Sequence, residues 1–303
     1  MNGGGGASIA SGRLARLVVL ALPYLWLLLF FLLPFLIVAK IALSEIAVGI
    51  PPYAPILRWT EENVLTVVLN FGSFATLLED GFYLDAYLRS LRVAGISALL
   101  CLLVGYPMAY AIARAPEHRR NLLLLLVVLP FWTSFLLRVM AWIGILQDQG
   151  VLNALLLSLG LISEPLRLLY TEGAVYVGIV YCYLPFMVLP LYATLAKLDP
   201  VLLEAAADLG ARPFRAFLTV TLPLSMPGIL AGCMLVFIPA VGEFVIPELL
   251  GGPAAQLAGR VLWVEFFQNR DWPMASALAV ALLVLLVVPI AAFQRHAARR
   301  GRA

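Results

Sequence analysis

The chain has 303 residues, 63% of them hydrophobic and only 12% charged, against about 25% charged in soluble domains, which excludes an ordinary soluble enzyme. Twenty basic and seventeen acidic side chains leave a formal charge of +3, too small a surplus to neutralise nucleic-acid phosphates, so nucleic acid is excluded as a partner. Apolar runs recur that can each cross a hydrocarbon core of about 30 Å as a helix of about twenty residues, and the whole reads as an all-α, multi-pass membrane protein in contact with lipid.

Residues 1–16, MNGGGGASIASGRLAR, are rich in Gly and Ser and are expected to form a disordered tail. The first apolar span, Leu17–Ala39, runs on to Lys40. It is longer than the core of about 7–15 residues found in a cleavable signal peptide, so it reads as a retained helix. A loop of some fifty residues, Lys40 to Arg89, follows. Further spans are expected at Val93–Ala113, Leu122–Leu146, Ala174–Leu195, Gly228–Leu250 and Met274–Phe293. Together they make a six-helix domain over 17–293, ending in a basic tail over 294–303.

Six spans place both termini on one face, and the loops orient them, because Lys and Arg gather on the cytoplasmic side. With the termini inside, twelve basic residues are cytoplasmic: Arg13, Arg16, Arg114, Arg119, Arg120, Lys197, Arg212, Arg215, Arg295, Arg299, Arg300 and Arg302. Seven lie outside (Lys40, Arg58, Arg89, Arg92, Arg167, Arg260, Arg270), and Arg138 falls within the third span. Acids show the reverse bias, with eleven outside, Glu61 and Glu62 among them, and four inside. The outer face is therefore net −4, which suits attraction of a cationic solute and equally suits plain loop solvation.

Prolines interrupt the spans at positions 23, 34, 107, 130, 185, 190, 239, 247 and 289. Each removes a backbone donor and favours a kink, a pattern that fits a transporter bundle; packing kinks are the plainer explanation. Cys101, Cys182 and Cys233 each lie in an apolar run without CxxC spacing, so they read as buried apolar filler, with neither a disulfide nor a metal indicated. His118 and His296 lie in separate basic segments with no ligand-like company. No cofactor is expected. The two lysines, Lys40 and Lys197, lack the glycines and the following Ser/Thr of a P-loop. The chain is accordingly expected to be non-catalytic, drawing its energy from a partner or an ion gradient.

Glu243 and Glu248 sit in the fifth span, and intramembrane acids face a cavity or a partner, which makes them candidates for a cation pathway. Pairing of Glu243 with Arg138, or a place for Glu248 at the outer interface, are the structural alternatives. Rings attract cations, and Trp132 and Tyr181, with Trp142 and Tyr183, could supply them; interface anchoring or core packing would explain the same residues.

Between the fourth and fifth spans runs LDPVLLEAAADLGARPFRAFLTVTLPLSMPG, from Leu198 to Gly228. Asp199 can cap a short helix outside the membrane, Pro200 suits its first position, and Gly210 offers an unstrained exit. Arg212-Pro213 then opens a second segment ending at Leu222-Pro223, and a mere interfacial linker is the plainer reading of the loop 199–223.

The string EAAADLGARPFRAFLTVTLP, Glu204 to Pro223, is similar to the EAA motif of permease subunits of ABC importers: Glu-Ala-Ala, three residues, Gly, nine residues, Ile, one residue, Leu-Pro. Val220 stands where the pattern has Ile. The strings PYLWLLLFFLLPFLIVAKIALSE, VFIPAVGEFVIPELLGGP and GRVLWVEFFQNRDWPMASA resemble the polyamine branch, nearest its putrescine permeases. The resemblance implies a type I ABC importer permease fold of six transmembrane helices in the inner membrane, with a cytoplasmic coupling helix. In that helix Glu204, Ala205, Ala206, Asp208 and Gly210 would engage an ATPase subunit. It further implies a second homologous permease, two ATPase copies and a periplasmic polyamine-binding protein as partners. An ion-coupled secondary transporter of a cationic solute is the alternative; it would share the kinks and Glu243 but would have no use for Glu204–Pro223.

Overall fold

The computed structural model describes residues 19–59, 65–253 and 255–300. The expected tail 1–16 with Arg13 and Arg16, the acids Glu61 and Glu62, and Arg302 lie outside the described residues. Among those described, five helices are long and apolar enough to cross a membrane, and a shorter apolar helix covers Trp272–Val288. The chain divides into two compact units, Met1–Asp80 with Val264–Ala303, and Gly81–Trp263.

In the first unit, α1 (Val19–Ala42) packs on α11 (Trp272–Arg300). Side chains of α1 such as Trp26 and Leu22 are well exposed, a surface untenable in water and ordinary against lipid tails. Beyond α1 the loop forms a hairpin, β1 (Leu57–Trp59) antiparallel to β2 (Leu65–Val67), with Arg58 opposite Thr66. Asn70 Oδ1 accepts from Gly72 N at 2.7 Å, starting α2 (Gly72–Glu79), which also packs on α11. Asp271 caps α11 by accepting from Met274 N at 2.9 Å. The helix runs through Arg300, into the stretch the sequence reads as a basic tail.

The second unit is a bundle of α3 (Gly81–Arg114), α7 (Glu172–Leu195) and α9 (Pro213–Val241). Its core joins Cys101, Tyr106 and Ala109 to Met187, Val188, Leu191 and Val236. Without a hydrophobic drive between helices in lipid, close backbone approach supplies the packing. Glycines provide it: Gly105 and Gly232 face Met187, and Gly178 faces Ile246 and Leu250. Tyr106 Oη and Ser225 Oγ are hydrogen-bonded at 2.9 Å across the core, and because Ser225 donates to the Leu222 carbonyl, Tyr106 is the donor. All three cysteines are free; Cys101 and Cys182 are buried, as apolar filler should be, whereas Cys233 is only half-buried.

At Gly228 an added Cβ would stand 2.9 Å from the Pro190 carbonyl oxygen and 2.6 Å from Thr194 Oγ1, which itself donates to that carbonyl. Gly228→Ala is therefore expected to cost about 1–3 kcal/mol through overpacking, read as a lowered melting temperature of the purified permease. An unchanged melting temperature would contradict so close an approach of α7 and α9.

Two expected spans are interrupted. The third does not form one helix over Leu122–Leu146: α4 (Glu117–Val128) passes into a 3-10 turn, Leu129–Trp132, and the chain turns at Thr133-Ser134 before α5 (Phe135–Leu146) and α6 (Val151–Ser158). Pro130 is the physical cause, since it cannot donate and its carbonyl is taken by Thr133 N and Oγ1 at 3.2 and 2.8 Å. Likewise α9 ends at Val241, and after Gly242–Phe244 the chain resumes in a turn, Pro247–Gly251, followed by α10 (Ala258–Trp263). A Cβ at Gly259 would run into the Gly242 carbonyl, so α10 lies directly on that interruption.

Candidate functional site

Two places carry the residues singled out in the sequence. The first is α8 (Val201–Asp208). Asp199 Oδ1 accepts from Val201 N at 3.0 Å, satisfying one of the orphan donors of the first turn. At the other end Gly210 N bonds to the Ala207 carbonyl at 2.8 Å and Ala211 N to the Ala206 carbonyl at 3.0 Å, with Gly210 at φ +81°. This is a Schellman ending, for which Gly is the unstrained residue. Leu198, Leu202 and Leu203 lie beside Arg114 at the end of α3 and beside Val220–Leu224 of α9, so α8 is seated on two helices of the bundle.

Glu204, Ala205, Asp208 and Gly210 are exposed and Ala206 is half-buried. Glu204 and Asp208, one turn apart, have no ion pair among the described residues. Beside them Leu209 is 90% exposed and Phe214 72%. Small residues and two free carboxylates on one short helix, with uncovered apolar groups just beyond its end, make a surface suited to receiving another protein.

The second place is the interruption after α9. Glu243 is only 8% exposed. Its Oε1 accepts from Val245 N at 2.9 Å and Ile246 N at 3.4 Å, capping the next turn, while Tyr183 of α7 donates to Oε2. A row of rings continues from there: Tyr183 to Phe186 at 6.0 Å, then Phe186 to Phe131 at 5.1 Å. Arg138 lies over Phe131 and Phe135, at 5.3 and 5.8 Å from the ring centres. On the other side Phe244 stacks on Trp263 at 4.8 Å. A carboxylate in an apolar, aromatic setting is a place where a primary ammonium could be exchanged for protein donors.

The remaining pathway candidates fall elsewhere. Glu248 is ion-paired with Arg260, whose Nη1 donates to the Gly252 and Pro253 carbonyls, so the pair also closes the Pro247–Gly251 turn. Tyr181 meets Trp142 edge-on at 5.5 Å, and Trp132 is 74% exposed on the 3-10 turn. The expected alternative of a Glu243–Arg138 pair is not formed among the described residues, and Arg138 Nε and Nη1 are buried without an acceptor. Tyr183, which the sequence offered only as a ring, is the residue that reaches Glu243. Residues two apart on a helix point to nearly opposite sides, so Tyr181 and Tyr183 could not share this place.

With this geometry in hand, comparison with known proteins is informative. The spermidine/putrescine transport system permease protein PotB of Haemophilus influenzae is 40% identical over 278 residues, covering 92% of each chain. PotB of Escherichia coli is 39% identical over 270 residues, 89% of this chain and 93% of that one. Two solved structures share the fold: a bacterial ABC transporter importing the acidic polysaccharide alginate, with a TM-score of 0.69, 20% identity and 95% and 96% of the two chains covered; and a bacterial alginate ABC transporter in complex with an alginate pentasaccharide-bound periplasmic protein, with a TM-score of 0.70, 19% identity and 97% of both chains covered. Residues 13–302 match the family described as binding-protein-dependent transport system inner membrane component. This mostly helical chain, with the fold of ABC importer permeases, therefore belongs to the inner membrane components of binding-protein-dependent transport systems.

Proposed function

We propose that the chain is the permease subunit of an ATP-driven polyamine importer, with putrescine as the substrate to be tested first. The observation that carries this reading is its 39–41% identity, over most of its length, to relatives named as spermidine/putrescine permeases. Its own chemistry agrees: Glu243 with Tyr183 offers a buried carboxylate suited to an ammonium group, and the surrounding rings favour cations without holding them tightly.

In this proposal both termini and α8 are cytoplasmic, and 17–293 is the membrane domain. Glu204, Ala205, Ala206, Asp208 and Gly210 form the docking surface for one of two ATPase subunits. A second homologous permease supplies the other half of the pathway, and a periplasmic binding protein delivers the substrate. Closure of the ATPases on ATP draws the coupling helices together and opens the bundle outward; resetting after hydrolysis releases the cation inside. Because α8 rests on α3 and α9, its displacement is passed directly to both helices.

The test is uptake of labelled putrescine into proteoliposomes holding the complete importer, with spermidine as competitor. Uptake that needs the ATPase and the binding protein and is blocked by vanadate is the expected result. Uptake that instead survives vanadate and collapses with the proton gradient would replace this reading with ion-coupled transport. Strong competition by spermidine would widen the substrate from putrescine to polyamines in general.

A further inference from the structure

Where α3 turns into α4, a groove between the two helices stays open. Met108, Ala111 and Ile112 form one wall and Leu123, Leu126 and Val127 the other, around a concavity of about 370 Å³ with no polar side chain in its lining. Only Ala115 and Pro116 join the helices, so the turn closes one end of the groove. Leu122, Leu125 and Leu126 of α4 are well exposed, a surface suited to acyl chains.

Three arginines gather at the closed end. Arg119 stands four residues before Leu123 and seven before Leu126, and Arg120 three before Leu123 and seven before Val127, so both share the face of α4 that walls the groove. On α3, Arg114 follows Ala111 by three residues, about 4.5 Å along the axis. Its guanidinium lies over the Tyr110 ring at 5.6 Å, a stacking that occupies its face and leaves its N–H edge for an acceptor. Arg120 Nη2 donates to the Ala113 and Ala115 carbonyls at 3.3 Å, closing the end of α3, while its Nε is buried without an acceptor. Arg119 is exposed. None of the three has an ion pair among the described residues, and Glu117 of the same turn pairs with none of them.

We propose that this groove holds an acyl chain of an anionic phospholipid, with the phosphate on Arg114 and Arg119 and Arg120 fixing the turn between them, and that the lipid steadies the seat of α8. The link to α8 rests on the importer reading above; the lipid site does not. Its two chemistries together select the occupant. A free phosphate would satisfy the arginines and leave the apolar groove bare. An apolar helix of another subunit would fill the groove and leave three unpaired guanidinium groups at its end. An anionic phospholipid serves both, because its headgroup meets the cations at the depth where its chain enters the groove. Arg114 also borders Leu198, Leu202 and Leu203, so a headgroup held there adjoins the segment through which α8 rests on the bundle.

The test uses the complete importer in phosphatidylcholine liposomes with and without phosphatidylglycerol, doped with photoactivatable lipids that carry the reactive group on an acyl chain. The glycerol-headed probe is expected to label residues 108–127 about fivefold more than the choline-headed one, as the arginines select charge. Arg114→Gln combined with Arg119→Gln should bring the two probes to equal labelling, and Arg114→Lys with Arg119→Lys should keep most of the preference. Leu126→Trp, which fills the groove with the arginines intact, should lower labelling by both probes, so the test stands even if the double glutamine variant fails to assemble. Putrescine uptake should rise with phosphatidylglycerol in the wild type and lose that dependence in the double glutamine variant. Equal labelling by the two probes in the wild type, or labelling lost to added inorganic phosphate, would overturn the lipid site. So would an unlabelled groove beside labelled lipid-facing stretches, which would put a protein segment there. Selective labelling with uptake indifferent to phosphatidylglycerol would overturn the link to α8 alone. Selective labelling in a complex that takes up no polyamine would uphold the lipid site and overturn the importer reading instead.

Discussion

Glu204→Lys is expected to abolish ATP-dependent uptake while the chain still inserts and assembles with the proposed second permease. The expectation follows from where the side chain sits. Glu204 is exposed in the first turn of α8, with no ion pair among the described residues. Among the described residues no side-chain contact depends on its charge, which otherwise only complements the helix dipole. The helix is held instead by the Asp199 cap, by the Schellman ending at Gly210 and by Leu203 against α9. Reversing the charge on a docking surface leaves two like charges facing or one desolvated, which weakens association by roughly thirtyfold or more. Co-purification of the ATPase with the membrane complex should fall in parallel with uptake, and Glu204→Gln should lie between wild type and Lys. Normal uptake in Glu204→Lys would remove α8 from the transmission of ATPase motion.

Much of this architecture is legible in the sequence, and the parts that are not have physical causes. Apolar length located the first, second, fourth and sixth helices, because crossing the bilayer demands it whatever the packing, whereas the third and fifth lie at Phe135–Ser158 and Pro213–Val241, offset from the expected Leu122–Leu146 and Gly228–Leu250. The ends of α8 could be read from Asp199 and Gly210, since caps are local chemistry. Hydropathy could not show that the third span turns at Thr133-Ser134, because a window of side-chain polarity is blind to a backbone interruption; Pro130 was the signal, and proline alone does not distinguish a kink from a break. The second long helix starts at Gly81, well before the apolar run at Val93, because a helix may continue past the hydrocarbon on polar residues such as Asp85 and Arg89, which pair one turn apart at 2.7 Å. The hairpin Leu57–Trp59 with Leu65–Val67 is too short to leave a pattern.

The acids of the fifth span teach the same lesson more sharply. As sequence, Glu243 and Glu248 are two carboxylates among apolar residues, the first with Arg138 as an alternative partner and the second near the outer interface. Only the fold separates them, by turning Glu248 toward Arg260 and Glu243 inward to Tyr183. Arg138, an obvious counter-ion in sequence, is occupied with aromatic faces, because α5 begins after the turn at Thr133-Ser134 and carries Arg138 over Phe131 and Phe135.

Glu243→Gln is the decisive substitution for the pathway. A glutamine can still accept from Val245 N and Ile246 N through its amide oxygen, so the cap is kept, while the charge is lost. If the carboxylate exchanges Tyr183 and the capping donors for a substrate ammonium, uptake should fall about tenfold or more, in keeping with a lost charge-assisted bond of roughly 1.5–3 kcal/mol. Melting temperature and ATPase assembly should stay near wild type. Glu243→Ala removes the cap as well and is expected to add a stability loss of about 0.5–2 kcal/mol, which separates the two roles of this side chain. Tyr183→Phe keeps the charge and drops one donor; its uptake defect should be smaller than that of Glu243→Gln and should grow as substrate is diluted, as expected when binding is altered more than turnover. Full uptake by Glu243→Gln, with only Glu243→Ala impaired, would reduce Glu243 to a helix cap and place the cation's path elsewhere in the bundle.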